Sequence, residues 1–206
     1  MNEEITNWLP LLITFIAGAF ALSQIRSNNI TNARIEWLQN LKHEVTDFLA
    51  ECAVVDFEQG LQKRIKEKNS DKELPENAKE IFNKINESFS DHLKIIESKH
   101  NLILLNLNPK EPLHQKLEKH LNDYMQLVNE IPKQNSIHDH SKLSRKIDAH
   151  GDTLILLNRY IMKLEWEKTK QSYLWRKWYM KCGKGKQILK EALNLKLLPE
   201  RAETTN

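Results

Sequence analysis

Histidine is the side chain best suited to move protons or hold metal near neutral pH, and this chain has eight. They are His43, His92, His100, His114, His120, His138, His140 and His150. Only His138-Asp139-His140 forms a cluster, in a segment that reads as a polar loop from Lys133 to Asp139, and no further ligand stands near it. A zinc or iron site needs three or four ligands in fixed geometry, so no metal site is expected. The two cysteines, Cys52 and Cys182, lack metal-ligand spacing and read as free thiols. There is no glycine-rich phosphate loop, no G-x-S-x-G and no H-E-x-x-H, and no cofactor is expected. One spacing remains, Arg145-Lys146-Ile147-Asp148-Ala149-His150, an arginine and a histidine five positions apart. Its simplest reading is structural, because His150 falls on a heptad seam where a core histidine fixes register.

The elements that would position these residues are helices. Five glycines and six prolines are few breakers, and β-branched alternation is scarce. From Ile30 to Val55 the apolar positions Ile30, Ala33, Trp37, Leu41, Val45, Phe48, Cys52 and Val55 step by three or four, one stripe of a long helix. Gly60 to Pro75 reads as a charged connection, part helix and part turn. A second helix fits Glu76 to Leu107 through Phe82, Ile85, Phe89, Leu93, Ile96 and Ile103, and ends at Asn108-Pro109. A third fits Leu113 to Ile131 through Leu117, Leu121, Tyr124 and Val128. The fourth carries the seam Leu143, Ile147, His150, Leu154, Leu157, Ile161, Leu164, a coiled-coil-like heptad. A short amphipathic piece, Ile188 to Leu198, follows. Long amphipathic helices with short connections predict an all-α, antiparallel four-helix-type bundle.

Ahead of the bundle stands Ile5 to Ile25, ITNWLPLLITFIAGAFALSQI, which holds no charged residue. That is about the length a helix needs to cross the hydrocarbon core. Ala19-Phe20-Ala21 resembles a signal-peptide cleavage pattern, but the segment opens Met-Asn-Glu-Glu, without the basic residues a signal peptide carries. The positive charges follow it, at Arg26, Arg34 and Lys42, which predicts an uncleaved single-pass anchor in the inner membrane, with the N-terminus outside and the body in the cytoplasm. Trp8 would sit at the outer boundary, Arg26 at the inner one, and Pro10 in the first turn or so. Thr14 and Gly18, and Ala17 and Ala21, are small-xxx-small pairs through which anchors could pack in a homo-oligomer. The expected division is therefore an anchor at 1–25, a helical bundle at 26–182, and a basic amphipathic segment with a polar tail at 183–206.

In an antiparallel bundle the fourth helix returns to the membrane surface near Leu164 to Lys170. The residues that follow include Tyr173, Trp175, Arg176, Lys177, Trp178, Tyr179 and Lys181. Rings interleaved with cations suit a lipid interface, and a second, peripheral membrane contact over Tyr173 to Lys186 is expected. The competing readings are aromatic residues capping the bundle core beside a solvated basic face, or bases of a nucleic acid stacking on the rings. The formal charge of +3 argues against a general polyanion binder.

Two resemblances attach to these motifs. The Arg145-x4-His150 spacing resembles that of the HEPN ribonucleases, all-helical proteins of bacterial conflict systems. The resemblance implies that the arginine and histidine act on an RNA phosphate and on proton transfer, usually across a dimer. Lys146 departs from the Asn, Asp or His that the family usually places after the arginine. The second set is Arg34-x-Glu36-Trp37-Leu38-x-x-Leu41, Leu104-Leu105-Asn106-x-Asn108-Pro109 and Lys163-x-Glu165-Trp166-Glu167-Lys168-x-Lys170. Together with the anchor these are similar to a loose set of small, mostly uncharacterised bacterial single-pass membrane proteins. That resemblance implies mobile or antiphage gene neighbourhoods and a protein partner encoded nearby, and it offers no catalytic residues. Physically, Trp37 and Trp166 are expected to bury most of their rings in the bundle.

The expected function is binding, as a sensor, adaptor or effector at the membrane, with a nucleotide or nucleic-acid ligand the less favoured case. The enzyme alternative is a ribonuclease built on Arg145 and His150.

Overall fold

Every regular element among the described residues is helical. The computed structural model describes residues 2–69, 75–170, 180 and 183–196, without the side chains of residues 2–9 and 11. Helix α1 runs Asn2–Lys68, α2 Glu76–Asn106, α3 Pro112–Glu130, α4 Ile137–Lys170 and α5 Lys184–Asn194, with a single 3-10 turn at Ile131–Lys133. The chain divides into two compact units, Met1–Gln39 and Asn40–Asn206, and α1 contributes to both.

In the first unit, α1 carries large apolar side chains that nothing covers: Phe15 is 76% exposed, Phe20 73% and Leu22 70%, with Leu12, Ile13, Ile16 and Ile25 also exposed. At about 100° per residue these positions fall on all sides of the helix. Pro10 is internal to the helix rather than in its first turn, because α1 begins at Asn2. Its ring removes one backbone donor. Four residues on, the Thr14 hydroxyl donates to the Pro10 carbonyl at 2.8 Å, so that hydroxyl is satisfied within its own helix.

Among the described residues, no helix is long and apolar enough to cross a membrane.

The second unit is a helical bundle whose core follows the expected stripes. Leu41, Val45, Phe48, Cys52 and Val55 of α1 are buried, whereas Ile30 and Ala33, expected on the same stripe, are exposed. On α3, Leu113, Leu117, Leu121, Tyr124 and Val128 are buried; on α4, Leu143, Ile147, Leu154, Leu157, Ile161 and Leu164 are buried, with His150 half-buried among them. Contacts between α1 and α2 step down one helix and up the other, as antiparallel neighbours must. Lys99 pairs with Asp47 at 3.0 Å and with Glu44 at 3.1 Å. His92 meets Glu51 at 2.9 Å, and Gln62 donates to Asn86 at 3.0 Å.

The turns explain two of the sequence motifs. Leu104-Leu105-Asn106-x-Asn108-Pro109 is the α2–α3 connection. There the Asn108 side chain accepts from the Lys110 N–H at 3.0 Å, while the Asn108 N–H donates to His114 Nδ1 at 2.9 Å. Ahead of α4, Ser136 Oγ accepts from the Asp139 N–H at 3.1 Å and donates to Asp139 Oδ2 at 2.7 Å, a cap with the reciprocity of a capping box. The polar loop expected to reach Asp139 therefore ends at Ser136, and His138 and His140 lie in the first turn of α4.

Two helix ends are closed by lysines from elsewhere in the bundle. Lys63 donates to the Ile131 carbonyl at 2.8 Å. Lys116 donates to the carbonyls of Ala192, Leu193 and Leu195 at 3.0, 2.8 and 2.5 Å. Each ammonium answers the orphaned carbonyls and the negative dipole end of a helix C-terminus.

Candidate functional site

Three positions of α1, each one turn from the next, face three of α4 with the same spacing. On α1 they are Asp56, Gly60 and Arg64; on α4 they are His140, Ser144 and Asp148. Side chains four apart share a helix face, and both triplets line a cleft of about 370 Å³ with Tyr124 of α3 and the apolar Ala53, Phe57, Leu61 and Ile147. The cleft exists because positions that could carry bulk are small here: Ala53, Gly60, Ser141 and Ser144. Clefts of this size between bundle helices are where ligands settle.

Gly60 was expected in a connection; it lies inside α1. A Cβ there would stand 2.9 Å from His140 Cε1, so the missing side chain is what lets the imidazole approach. Ser144 Oγ donates to Asp56 Oδ2 at 2.6 Å, and His140 Nε2 stands 3.3 Å from Asp56 Oδ1. That second contact is close but not aligned as a hydrogen bond, for both atoms are buried without a hydrogen-bond partner among the described residues. The order is serine–aspartate–histidine. A nucleophilic triad needs the histidine between the other two, so these residues do not form a hydrolase centre.

Below them, burial holds the Tyr124 phenol well above its ordinary range, with Cys52, Asp56 and Asp148 adding to the effect. Burial also pushes the Cys52 thiol up, with the Glu51 charge adding to it and the bond to Tyr124 opposing it. Neither is a nucleophile at neutral pH.

The Arg145–His150 pair is not gathered into a site. Five positions along one helix set side chains about 140° apart around the axis. His150 faces α3, where its ring lies edge-on to His120 with centroids 6.2 Å apart. Both imidazoles are held below their ordinary value, first by burial. His138 is exposed and His140 buried, so the histidine cluster diverges. Among the described residues, no group of three His, Cys, Asp or Glu could hold a metal.

Arg26, Thr14, Ala17, Gly18 and Ala21 are all exposed, and a Cβ on Gly18 would meet nothing within 4 Å. Trp8 lies in α1, with its side chain outside the described residues. Tyr173, Trp175, Arg176, Lys177, Trp178, Tyr179 and Lys181 lie outside the described residues altogether. The late tryptophan motif is turned over relative to expectation. Trp166 is 48% exposed, with Lys170 Nζ 5.5 Å from its ring centroid. Glu165 and Lys168 are buried instead and paired with each other, and Lys168 reaches Glu111 at 3.7 Å. Trp37 is half-buried.

No protein-family model, curated protein or solved structure matches the chain.

Proposed function

We propose that this is a membrane-anchored helical binding protein, its N-terminal helix seated in the bilayer over Ile5 to Ile25 and its bundle serving as the recognition module. One observation carries the reading: from Leu12 to Ile25 the large apolar side chains of α1 are exposed on all sides. A helix apolar all round needs an apolar surround, and a bilayer supplies one. Thr14 supports it, since a hydroxyl bonded to its own helix is acceptable in lipid. Arg26, Arg34 and Lys42 favour the orientation with the bundle in the cytoplasm. The small pairs Thr14/Gly18 and Ala17/Ala21 offer a seam for self-association, and the aromatic and basic residues from Tyr173 to Lys181 enter as a second lipid contact from the sequence alone. An antiviral role, as sensor, adaptor or effector, follows from the resemblance to small bacterial membrane proteins.

Alkaline carbonate extraction of membranes from expressing cells tests the anchor. The wild-type chain should stay in the pellet, and an Ile13→Lys/Phe20→Lys variant should leave it, because each lysine at mid-bilayer costs about 3 kcal/mol. A wild-type chain found in the detergent-free supernatant sinks the proposal.

A further inference from the structure

We propose that the α1/α4 cleft binds a small organic amine, a primary ammonium carried on an apolar body. This rests on the bundle being a binding module and not on the anchor.

Two buried polar atoms at the cleft, one of Asp56 and one of His140, make no hydrogen bond among the described residues. Among the described residues Asp56 Oδ1 accepts no hydrogen bond, and Oδ2 already takes the Ser144 hydroxyl. His140 is 95% buried, being 5% exposed, and its Nε2 stands 3.3 Å from Asp56 Oδ1 without an aligned bond. A buried polar atom left unmet is costly, and here two stand side by side at a cleft. An ammonium has three donors and no acceptor. With the His140 ring proton on Nδ1, one N–H directed to Asp56, one to His140 Nε2 and one to the Ser144 oxygen satisfies the whole group. Gly60 lets the imidazole stand beside Asp56 at the cleft, because a Cβ there would come within 2.9 Å of Cε1.

Charge and shape narrow the class. Asp56 and Asp148 line the cleft with Tyr124, and a cation beside carboxylates and an aromatic ring is favoured twice over. Phe57, Leu61, Ile147 and Ala53 supply an apolar wall for the rest of the molecule. Arg64 lies two turns along α1 from Asp56, about 12 Å at 1.5 Å per residue. It repels a second ammonium, which disfavours polyamines, and it can hold a carboxylate. The amine therefore comes either alone or as part of an amino acid.

The test is isothermal titration calorimetry on the full-length chain in detergent, with tyramine, L-tyrosine and 3-(4-hydroxyphenyl)propionate, the last lacking the amine. At least one of the two amines should bind with unit stoichiometry, and the amine-free acid should not. Tighter tyramine binding identifies a free amine; tighter L-tyrosine binding identifies an amino acid whose carboxylate meets Arg64. Asp56→Asn should weaken binding about tenfold or more. Ser141→Leu fills the wall from an exposed position, and should abolish binding while the circular dichroism melt stays unchanged. The proposal is overturned if neither amine binds, if the acid binds as well as the amines, or if Ser141→Leu binds like wild type. That last variant decides the matter even if Asp56→Asn fails to fold. Carbonate extraction of the same chain reports on the anchor independently.

Discussion

Helix α1 contains two opposite solutions to the same secondary structure. Between Leu12 and Ile25 apolar side chains surround the axis and none is covered. Between Leu41 and Val55 the large apolar side chains gather mainly on one stripe, Leu41, Val45, Phe48, Cys52 and Val55, and that stripe is buried, with Val54 exposed beside it. The flanks of the second stretch are polar and committed: Asp47 and Glu51 to α2, Asp56 to α4. Both stretches are helical, so backbone propensity does not separate them. The distribution of apolar residues around the axis does, and it dictates the surroundings each stretch requires.

The sharpest way to break this comparison is a pair of equal truncations. Phe48 is fully buried, with its ring 5.6 Å from Tyr124, so Phe48→Ala should cost about 3–5 kcal/mol and lower the bundle melting midpoint by roughly 10 °C. Phe20→Ala should leave that midpoint where it was. Equal effects would show that the two stretches do not differ in the way their exposure implies.

Next in size is the buried pair at the end of α4. Lys168→Met removes the ammonium paired with the buried Glu165 carboxylate and should cost about 3 kcal/mol by denaturant melt, whereas Glu165→Leu/Lys168→Met together should recover most of it. A double variant as weak as the single one would mean that packing, not charge, holds the site. Lys116→Met should cost about 1–2 kcal/mol and speed hydrogen exchange in α5 while sparing α1. Unchanged exchange in α5 would show that its end is held by packing alone.

Acidification gives a subtler effect. Burial holds His114, His120 and His150 below the ordinary value of 6.5. As pH falls the unfolded chain, with ordinary imidazoles, takes up protons before the folded one does. Stability is therefore full above about 6.5, declines as pH drops through that value towards the folded values, and then levels off. Melting midpoints from pH 7.5 to 5 should show that decline, and a His114→Gln/His120→Gln/His150→Gln variant should flatten it. A wild-type curve as flat as the variant's would contradict the burial argument.

The smallest effect is expected at Gly18, where an added methyl meets open space. Gly18→Ala should leave the bundle melt unchanged. A lost cross-linked dimer with that melt intact would place a partner helix at the small-residue seam.

Helices α2 and α3 were legible because their apolar positions repeat every three or four residues between clear prolines, and α4 because its seam repeats the same way from Leu143 to Leu164. The site was less so. Gly60 among lysines and glutamates has the composition of a linker, and nothing local reveals that α4 will lay His140 against it. The usable signal was the matched spacing, Asp56-x3-Gly60-x3-Arg64 and His140-x3-Ser144-x3-Asp148, but pairing the two triplets needs the tertiary register. Trp166 misled for a different reason. The seam that runs Leu157, Ile161, Leu164 reaches Lys168 at its next step, so period pointed inward to a lysine while hydrophobicity pointed to the tryptophan. Period won, because Glu165 is one position from the seam and neutralises Lys168 where the two are buried.

Cys52, fully buried under Tyr124, has a use beyond its packing. A thiol that burial keeps protonated reacts only when the helices around it part, so its alkylation rate measures how often they part. In a Cys182→Ser background that rate becomes a clock for breathing of the bundle. It can be read in a cell lysate without purification, and any occupant of the neighbouring cleft that tightens α1 against α4 should slow it.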